Sequence, residues 1–415
     1  MKIAIIGTGI SGLGAAYALN AAHDITVYER NAYIGGHSRT INIQLGKKTV
    51  PVDTGFIVYN ERNYPLLVNL FKRLKVPVVK SDMSFGVSVA KGWFEYGSKN
   101  MLAQPINIFR PAFWGMIFDI ICFNRVAAQN HELYEGKSLG EFLDLLNMGD
   151  WFKKYYLQAM GAAIWSCSVE TILSFPAKSF ITFFKNHGLL TVNDHPQWLT
   201  VDGGSREYVS RLTESYKNKI RFLTPVQSVV RTKDKVIVTD ISGQAEEYDE
   251  VVFACHADQA LGIIGDASPE EKDILGAFTY QNNRVVVHGD TSFMPQRRGA
   301  WASWVYLSDA PVDKQPSVSL SYWMNNLQNL QTDMPVIVTL NPAREPSSDM
   351  IYDDHHFSHP VFTNETYEAQ QKINDIQGVN KYWFCGAYQR YGFHEDGLLS
   401  AVLMVKKMGI DIPWA

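Results

Sequence analysis

The chain has 415 residues, of which 46% are hydrophobic and 19% are charged, and its formal net charge is −4. This size predicts a globular protein with a large core and about two to three domains' worth of structure. The small negative charge gives no reason to expect a nucleic-acid partner. The four cysteines, Cys122, Cys167, Cys255 and Cys385, include no Cys-x-x-Cys pair. They predict neither a disulfide framework nor a zinc site and are typical of a reducing compartment.

A glycine-rich turn connects the first apolar run to a helical segment. Gly7 permits a tight turn, Gly9 lets the backbone approach a pyrophosphate, and Gly12 lets the helix lie close to the strand. The helix N-terminus offers free N–H groups to phosphates. Glu29 follows the next strand and is placed to accept hydrogen bonds from ribose hydroxyls. The unit therefore predicts dinucleotide binding; its elements are a strand at 2–6, a helix at 13–22 and a strand at 25–28.

A second glycine pair, Gly35-Gly36, follows the ribose acid. Flavoproteins often need such a pair, because the same loop passes the ribose and pyrophosphate of FAD. From Gly7 to Thr40 the chain resembles the amine oxidase superfamily of FAD proteins, which includes monoamine and polyamine oxidases, protoporphyrinogen oxidase and phytoene desaturases. The family loop usually reads Gly-Gly-Arg, whereas this chain has His37, with Arg39 two residues later. Which side chain meets the pyrophosphate is therefore open.

Further stretches along the chain resemble the same family. Residues 52–56 resemble the strand and turn beside the flavin, and residues 198–205 resemble the glycine pair that precedes a helix. Residues 220–254 resemble the strands near the adenine, where Val226 would use its backbone. Residues 382–398 resemble the C-terminal motif, whose helix N-terminus would point at the flavin pyrimidine ring.

The resemblance thus implies FAD as cofactor, and the cysteine and histidine spacings give no reason to expect a metal site. It places the following residues at the FAD: Gly7, Gly9, Ile10, Ser11, Gly12, Glu29, Arg30, Gly35, Gly36, His37, Ser38, Thr54, Gly55, Phe56, Val226, Ala254, Gly386, Ala387, Asp396, Gly397 and Leu398.

The implied fold is α/β, or α+β overall, with a Rossmann-like FAD-binding domain of the amine oxidase type. We predict that this domain is discontinuous and comprises residues 1–85, 198–262 and 380–415. A substrate domain, made of a helical insertion and a β-sheet, would comprise residues 86–197 and 263–379.

The most apolar stretch is 112–123, in which Asp119 is the one charged residue. At 12 residues it is too short to span a bilayer. Two interpretations stay open: a buried helix of the substrate domain, or a helix that lines a lipid-sized tunnel or touches the membrane surface. The N-terminal apolar run leads into the glycine turn and does not resemble a signal peptide. We expect a cytoplasmic protein, with peripheral contact at the inner face of the membrane as the alternative.

Several histidines are candidates for catalysis or metal binding. His256 follows the strand at 248–254, but the corresponding family loop usually only flanks the cofactor. His355, His356 and His359 are possible metal ligands. Adjacent histidines cannot both face one ion from a regular element, so we expect loop packing or surface positions for them.

The resemblance implies an oxidoreductase that takes a hydride from its substrate to flavin N5, while the protein positions the C–H bond and excludes water. His394 and Glu395 are the catalytic candidates near the reactive side of the flavin, where His394 would move a proton or hydrogen-bond the ring. The motifs look most like those of bacterial proteins that accompany fatty-acid-modifying methyltransferases. This similarity favours a fatty acyl or other lipid substrate and a desaturation.

Three alternatives stay open. An amine oxidase would need an aromatic cage, which residues 301–323 could supply. A redox-neutral isomerase would use the same flavin. A non-catalytic lipid-binding protein, like the Rab GDP-dissociation inhibitors that share the fold, would need no chemistry. The intact glycine turn and Glu29 argue against a lost cofactor.

Overall fold

The computed structural model contains two large sheets, three small ones and a helical layer in its described residues. It describes residues 1–129, 131–165, 169–186, 188–190, 196–310 and 318–415. The strands, in chain order, are β1 Lys2–Ile6, β2 Asp24–Tyr28, β3 Thr40–Leu45, β4 Lys48–Asp53, β5 Val58–Asn60, β6 Val78–Ser81, β7 Phe85–Val89, β8 Phe94–Gly97, β9 Trp198–Val201, β10 Ile220–Arg221, β11 Val226–Arg231, β12 Val236–Asp240, β13 Ala245–Tyr248, β14 Glu250–Phe253, β15 Thr279–His288, β16 Trp304–Ser308, β17 Val318–Trp323, β18 Ile337–Leu340, β19 Ile351–Val361 and β20 Tyr382–Phe384.

The α-helices, in the same order, are α1 Ile10–Leu19, α2 Pro65–Leu74, α3 Pro111–Gln129, α4 Leu139–Leu145, α5 Asp150–Phe152, α6 Gln158–Trp165, α7 Val169–Ser174, α8 Ala177–Asn186, α9 Arg206–Thr213, α10 Ala257–Ile263, α11 Pro269–Gly276, α12 Met324–Leu327, α13 Asn364–Ile376 and α14 His394–Lys407. A π-helical turn at Lys153–Leu157 joins α5 to α6. Within the described residues, no helix combines the length and the apolar character needed to cross a membrane.

A five-stranded parallel sheet positions the predicted cofactor segments. Its order is β10-β2-β1-β14-β20. Ile3 and Ile5 pack on one face with α1 and α14, while Ala4 and Ile6 pack on the other face with α10, α11 and α13. Burial on both faces is the rule for parallel sheets. The carboxyl ends of these strands meet at one edge, so the segments that follow β1, β2, β14 and β20 converge there.

A seven-stranded sheet of order β19-β15-β18-β17-β16-β7-β8 forms the second layer. Its pairs are antiparallel except β16 with β7. Side chains of this sheet share one hydrophobic cluster with helices α3 to α8, in which Phe123, Phe152 and Phe180 are fully buried. The helical layer therefore covers one face of the sheet.

The predicted division into two domains stays a prediction, although the sheets follow it. The five-stranded sheet comes from the segments predicted for FAD binding, and the seven-stranded sheet from the predicted substrate domain plus Phe85. Cys122, Cys255 and Cys385 are free cysteines, and Cys167 lies outside the described residues.

Four element predictions need correction. Helix α1 begins at Ile10 rather than residue 13, because Gly9 already takes the N-cap position. Helix α14 begins at His394 rather than Leu398, because the Asp396 carboxylate accepts the Phe393 N–H, 3.0 Å away. The apolar helix α3 is 19 residues long. The histidine segment predicted as loop is strand β19, which pairs with β15 over nearly its whole length.

Candidate active site

The glycine turn leaves an open space at one position and none at the others. A Cβ on Gly12 would lie 2.0 Å from the carbonyl oxygen of Gly7, and a Cβ on Gly7 would lie 2.8 Å from that of Ala254. A Cβ on Gly9 would meet no atom within 4 Å. Gly9 lines the large cavity at this edge of the sheet, and no side chain caps α1. The turn therefore presents bare backbone and a helix N-terminus, as a diphosphate requires.

Glu29 occupies the predicted position after β2. Its side chain is buried and accepts hydrogen bonds from the Thr8 hydroxyl and, at 2.7 Å, from the backbone N–H of Asn31. All three residues line the cavity. The carboxylate is thus fixed by the glycine turn itself, which places an acceptor beside the phosphate position.

The second glycine pair packs directly on the first turn. The Gly35 N–H donates to the Thr8 carbonyl at 3.0 Å, and a Cβ on Gly36 would lie 3.1 Å from the Gly9 Cα. Both residues have a positive φ, of 114° and 58°. A Cβ on Gly55 would lie 2.2 Å from the His37 carbonyl oxygen. The three loops therefore close around one end of the cavity only because these positions are glycines.

The structure distinguishes between the two basic side chains that follow the glycine pair. Arg39 binds Asp353 of β19 with both guanidinium nitrogens, at 2.7 and 3.0 Å. His37 instead lines the cavity next to the glycine turn. His37 therefore occupies the place where the family usually has arginine.

Three histidines gather at this end of the cavity. The His37 ring stacks on Phe357 with centroids 4.7 Å apart, and it lies 5.0 Å from His359 and 6.4 Å from His256. Desolvation by burial lowers the pKa of His37 and His359 to about 3 and that of His256 to about 4. All three are neutral at physiological pH, so they offer hydrogen bonds and no net charge to a cofactor.

Strand β19 explains why the histidines of this segment do not act together. Successive side chains alternate between the two faces of a strand, and His356 is exposed whereas Phe357 is buried. His359 faces the cavity and its Nδ1 lies 2.6 Å from the Asn283 side-chain nitrogen. Phe357 is the one large apolar residue in 353–359, so no period-two alternation marked the strand or this lining residue in the sequence.

His394, the first catalytic candidate, lines the cavity but is held by its neighbours. Its ring stacks on Phe56, and its Nε2 lies 2.8 Å from the Tyr208 hydroxyl and 3.4 Å from Ser38 Oγ. Burial lowers the pKa of His394 to about 3. A histidine that stays neutral at working pH can hydrogen-bond a ligand but is a poor proton carrier.

Glu395, the second candidate, does not line the cavity. Its carboxylate accepts the backbone N–H groups of Leu66 and Leu67, at 2.8 and 3.0 Å, at the N-terminus of α2. Burial raises its pKa to about 7. Both carboxylate oxygens therefore cap α2 away from the cavity, and a catalytic role of Glu395 stays a prediction.

Most of the predicted cofactor residues line one continuous cavity of about 1650 Å³. Those that do are Gly7, Gly9, Ile10, Ser11, Glu29, Arg30, Gly35, Gly36, His37, Thr54, Gly55, Phe56, Val226, Ala254, Gly386 and Ala387. Gly12, Ser38, Asp396, Gly397 and Leu398 lie behind this lining. A Cβ on Gly397 would lie 2.8 Å from Ile10 Cγ2, so this glycine serves the packing of α14 on α1. Contacts with the cofactor itself stay a prediction.

The cavity continues into an apolar arm that the sequence did not define. Beyond the glycine turns its walls come from α3, α6, α8 and the seven-stranded sheet, with Met83, Tyr96, Ile117, Ile120, Tyr156, Met160, Ile164, Phe183, Val285, Trp304, Tyr322, Val338 and Leu340. These residues come from distant segments, of which the helix at 112–123 and the aromatic-rich stretch 301–323 had given a sequence signal. Of the described residues lining the cavity, the charged ones are Glu29, Arg30, Asp82 and Lys99, and the last two form an ion pair with each other.

The family model for flavin containing amine oxidoreductases matches residues 10–322, more than half of the chain. The chain belongs to this family. It is accordingly a flavin-dependent oxidoreductase of the amine oxidase type, with FAD as cofactor. The bare backbone at Gly9, the buried Glu29 and the helix N-terminus fit that cofactor. When bound, FAD supplies a two-electron acceptor, and the chain's own residues hold it, place the substrate and exclude water.

Solved structures with the same fold cover nearly the whole chain. A CLA-producing fatty acid isomerase from P. acnes has a TM-score of 0.68 and 16% identity over 97% of this chain and 98% of its own. Cyclohexylamine oxidase from Brevibacterium oxydans IH-35A has a TM-score of 0.68 and 15% identity, over 98% of this chain and 99% of its own. A reduced UDP-galactopyranose mutase has a TM-score of 0.67 and 16% identity, over 98% of this chain and 94% of its own. A search among curated proteins found no match. At this identity the likeness shows the fold alone.

Proposed function

We propose that this flavin-dependent oxidoreductase takes a hydride from a fatty acyl or other lipid chain and so desaturates it. The observation that carries the proposal is the apolar arm of the cavity, which continues from the glycine turns to α3. The cavity of about 1650 Å³ exceeds the ~300–1,000 Å³ of ordinary ligand sites, so it has room for more than a cofactor.

The charge of the arm also favours an apolar substrate. Asp82 and Lys99 neutralise each other, and Glu29 and Arg30 belong to the glycine-turn end. Desaturation breaks two C–H bonds on neighbouring carbons and forms one C=C bond. The substrate loses a hydride and a proton, and its two electrons pass to the acceptor. The walls contribute by holding the chain in one place and excluding water.

An amine oxidase is the second candidate, because one aromatic pair lines the arm. Trp304 and Tyr322 meet edge to face, with centroids 4.8 Å apart, on neighbouring strands β16 and β17. Trp301 and Trp323, from the same region, do not line the cavity. A neutral amine could lie against this pair, and Tyr96, Tyr156 and Phe183 add further aromatic rings to the walls of the arm. A redox-neutral isomerase of an acyl chain would use the same arm. The fatty acid isomerase fold likeness is compatible with it.

Anaerobic mixing of the purified, FAD-loaded protein with candidate substrates tests the proposal. Oleate and a methyl-branched stearate, dispersed in detergent, are compared with cyclohexylamine and putrescine. We expect bleaching of the flavin absorbance by the acyl chains. Bleaching by the amines alone would reverse the ranking. Acyl products without any bleaching would indicate the isomerase. A colourless protein that retains no added FAD would contradict the desaturase, amine oxidase and isomerase proposals and would support a lipid-binding role.

A further inference from the structure

Several large apolar side chains are exposed in the first half of α3 and in the segment just before it. We define the α3 patch by its exposed residues Leu102, Ile106, Ile108, Phe109, Trp114, Phe118 and Ile121. Phe109 is 80% exposed and Phe118 is 66% exposed. A soluble face of a protein rarely holds so many large apolar side chains together, and such patches mark interaction surfaces.

The patch lacks exposed charge. Between residues 100 and 124 the charged residues are Arg110 and Asp119, and both are partly covered. The Arg110 guanidinium lies over the Trp93 ring, 4.6 Å from its centroid. One Asp119 oxygen accepts the Gly149 N–H at 2.9 Å. Asp119 is engaged by the backbone, and Lys99, before the patch, is paired with Asp82. Arg125, after the patch, is exposed.

The same helix forms the wall of the cavity. Ile117 and Ile120 line the apolar arm, and Ile121 both lines it and is 61% exposed. Lys99, which lines the cavity as well, is also largely exposed. The cavity therefore opens at the patch, with apolar side chains leading from its inside to the outer surface.

We propose that the α3 patch docks on the face of a phospholipid bilayer and that acyl chains enter the cavity beside Ile121. A second copy of the chain or a protein partner seated there would cover the opening. A bilayer buries the same side chains and also supplies apolar molecules to the opening. The exposed Arg125 at the end of the patch favours anionic headgroups. The route of entry rests on the proposed function, whereas the docking does not.

Vesicle sedimentation with the FAD-loaded protein tests the docking. Vesicles of phosphatidylcholine alone and with one-fifth phosphatidylglycerol are compared. We expect binding that is tighter to the anionic vesicles. The double substitution Phe109→Ser/Phe118→Ser should lower the partition coefficient ~tenfold or more, because two exposed apolar side chains leave the interface. The matched control is Ile241→Ser/Leu403→Ser, which changes two side chains of similar exposure elsewhere on the surface. It should stay within ~twofold of the wild type.

Three results would overturn the docking proposal: no vesicle binding by the wild type, equal loss in both double variants, or a wild-type dimer that Phe109→Ser/Phe118→Ser dissociates. Retained FAD absorbance and circular dichroism show that the variants fold. Bleaching by detergent-dispersed acyl chains should be the same in the patch variant and the wild type, since neither phenylalanine lines the cavity. Absence of that bleaching in both would sink the proposed function and leave the docking standing.

Discussion

The imidazole ring of His394 stacks on the phenyl ring of Phe56, with centroids 3.8 Å apart and an angle of 11° between the planes. Because burial lowers the pKa of His394 to about 3, the ring is neutral from pH 5 to 9. We expect His394→Gln to lower the rate of anaerobic flavin reduction less than ~tenfold, whereas losing a general acid or base costs ~100-fold or more. The pH profile should keep its shape. A ~100-fold loss together with the disappearance of a limb near pH 6 to 7 would support a catalytic role for His394.

Gly9 and Gly12 should respond differently to the same substitution. A side chain at Gly9 enters the open cavity, so Gly9→Val should fold and lose FAD. A side chain at Gly12 collides with the Gly7 carbonyl, so Gly12→Val should destabilise the protein itself, by ~3 kcal/mol or more. Fluorescence titration with FAD and urea unfolding of the apoprotein measure the two effects. Normal FAD affinity in Gly9→Val would contradict the cofactor placement.

Glu395 should make the protein less stable as pH rises. Burial raises its folded pKa to about 7, above the unfolded value, so the folded state keeps a proton that the unfolded state has lost. Stability from this group is present below about pH 4.5 and lost as pH rises towards 7. Glu395→Gln should therefore gain ~2.5 kcal/mol relative to the wild type between pH 5 and pH 8. Urea unfolding at both pH values, with saturating FAD, measures the difference. A constant difference would show that the carboxylate is charged throughout.

Buried histidines should make the apoprotein sensitive to acid. Desolvation lowers the pKa of these histidines in the folded state. Below about pH 6.5 the unfolded state therefore binds protons that the folded state cannot, and the free energy of unfolding decreases as the pH is lowered. Each buried histidine lowers the free energy of unfolding by up to ~1.4 kcal/mol per pH unit of acidification. Glu395 and Asp396, whose pKa values are raised, act in the opposite direction. The residues are His37, His256, His288, His359 and His394.

The acid sensitivity is checked by urea unfolding of the FAD-free protein at pH 6.5 and 5.0. His288 lies away from the cavity, with Nε2 2.8 Å from Thr339 Oγ1. His288→Asn should therefore reduce the slope with pH by about one proton. An unchanged slope would mean that His288 is charged in the folded state.

Narrowing the apolar arm should discriminate between long and short substrates. Ile117 of α3 lines the arm, whereas Ile106, an exposed residue of the α3 patch, does not. We expect Ile117→Trp to slow bleaching by an 18-carbon chain ~tenfold or more, with FAD content unchanged, because the added rings occupy the arm. Ile106→Trp is the matched control and should behave like the wild type. Equal rates with both variants would place the acyl chain elsewhere.

The cofactor end of the site was predictable because its determinants are local. Gly7 to Gly12, Gly35-Gly36 and Gly55 are needed where one backbone passes close to another or to a phosphate, and a missing side chain is visible in the sequence itself. The C-terminal motif was recognised from the sequence, but the hydrogen-bond partners of its residues were not. Glu395 binds the backbone of Leu66 and Leu67, more than 300 positions away, and no local pattern announces such a partner.

By itself, the sequence determined the cofactor class and the α/β fold around Gly7–Glu29, because a tight glycine turn between strand and helix dictates its own conformation. The tertiary structure decided that Arg39 forms an ion pair with Asp353, whereas His37 lines the cavity. It also decided that α3 has one face in the cavity and another on the surface. Burial and charge pairing depend on which distant segments meet, and that is settled only when the sheets and helices pack together.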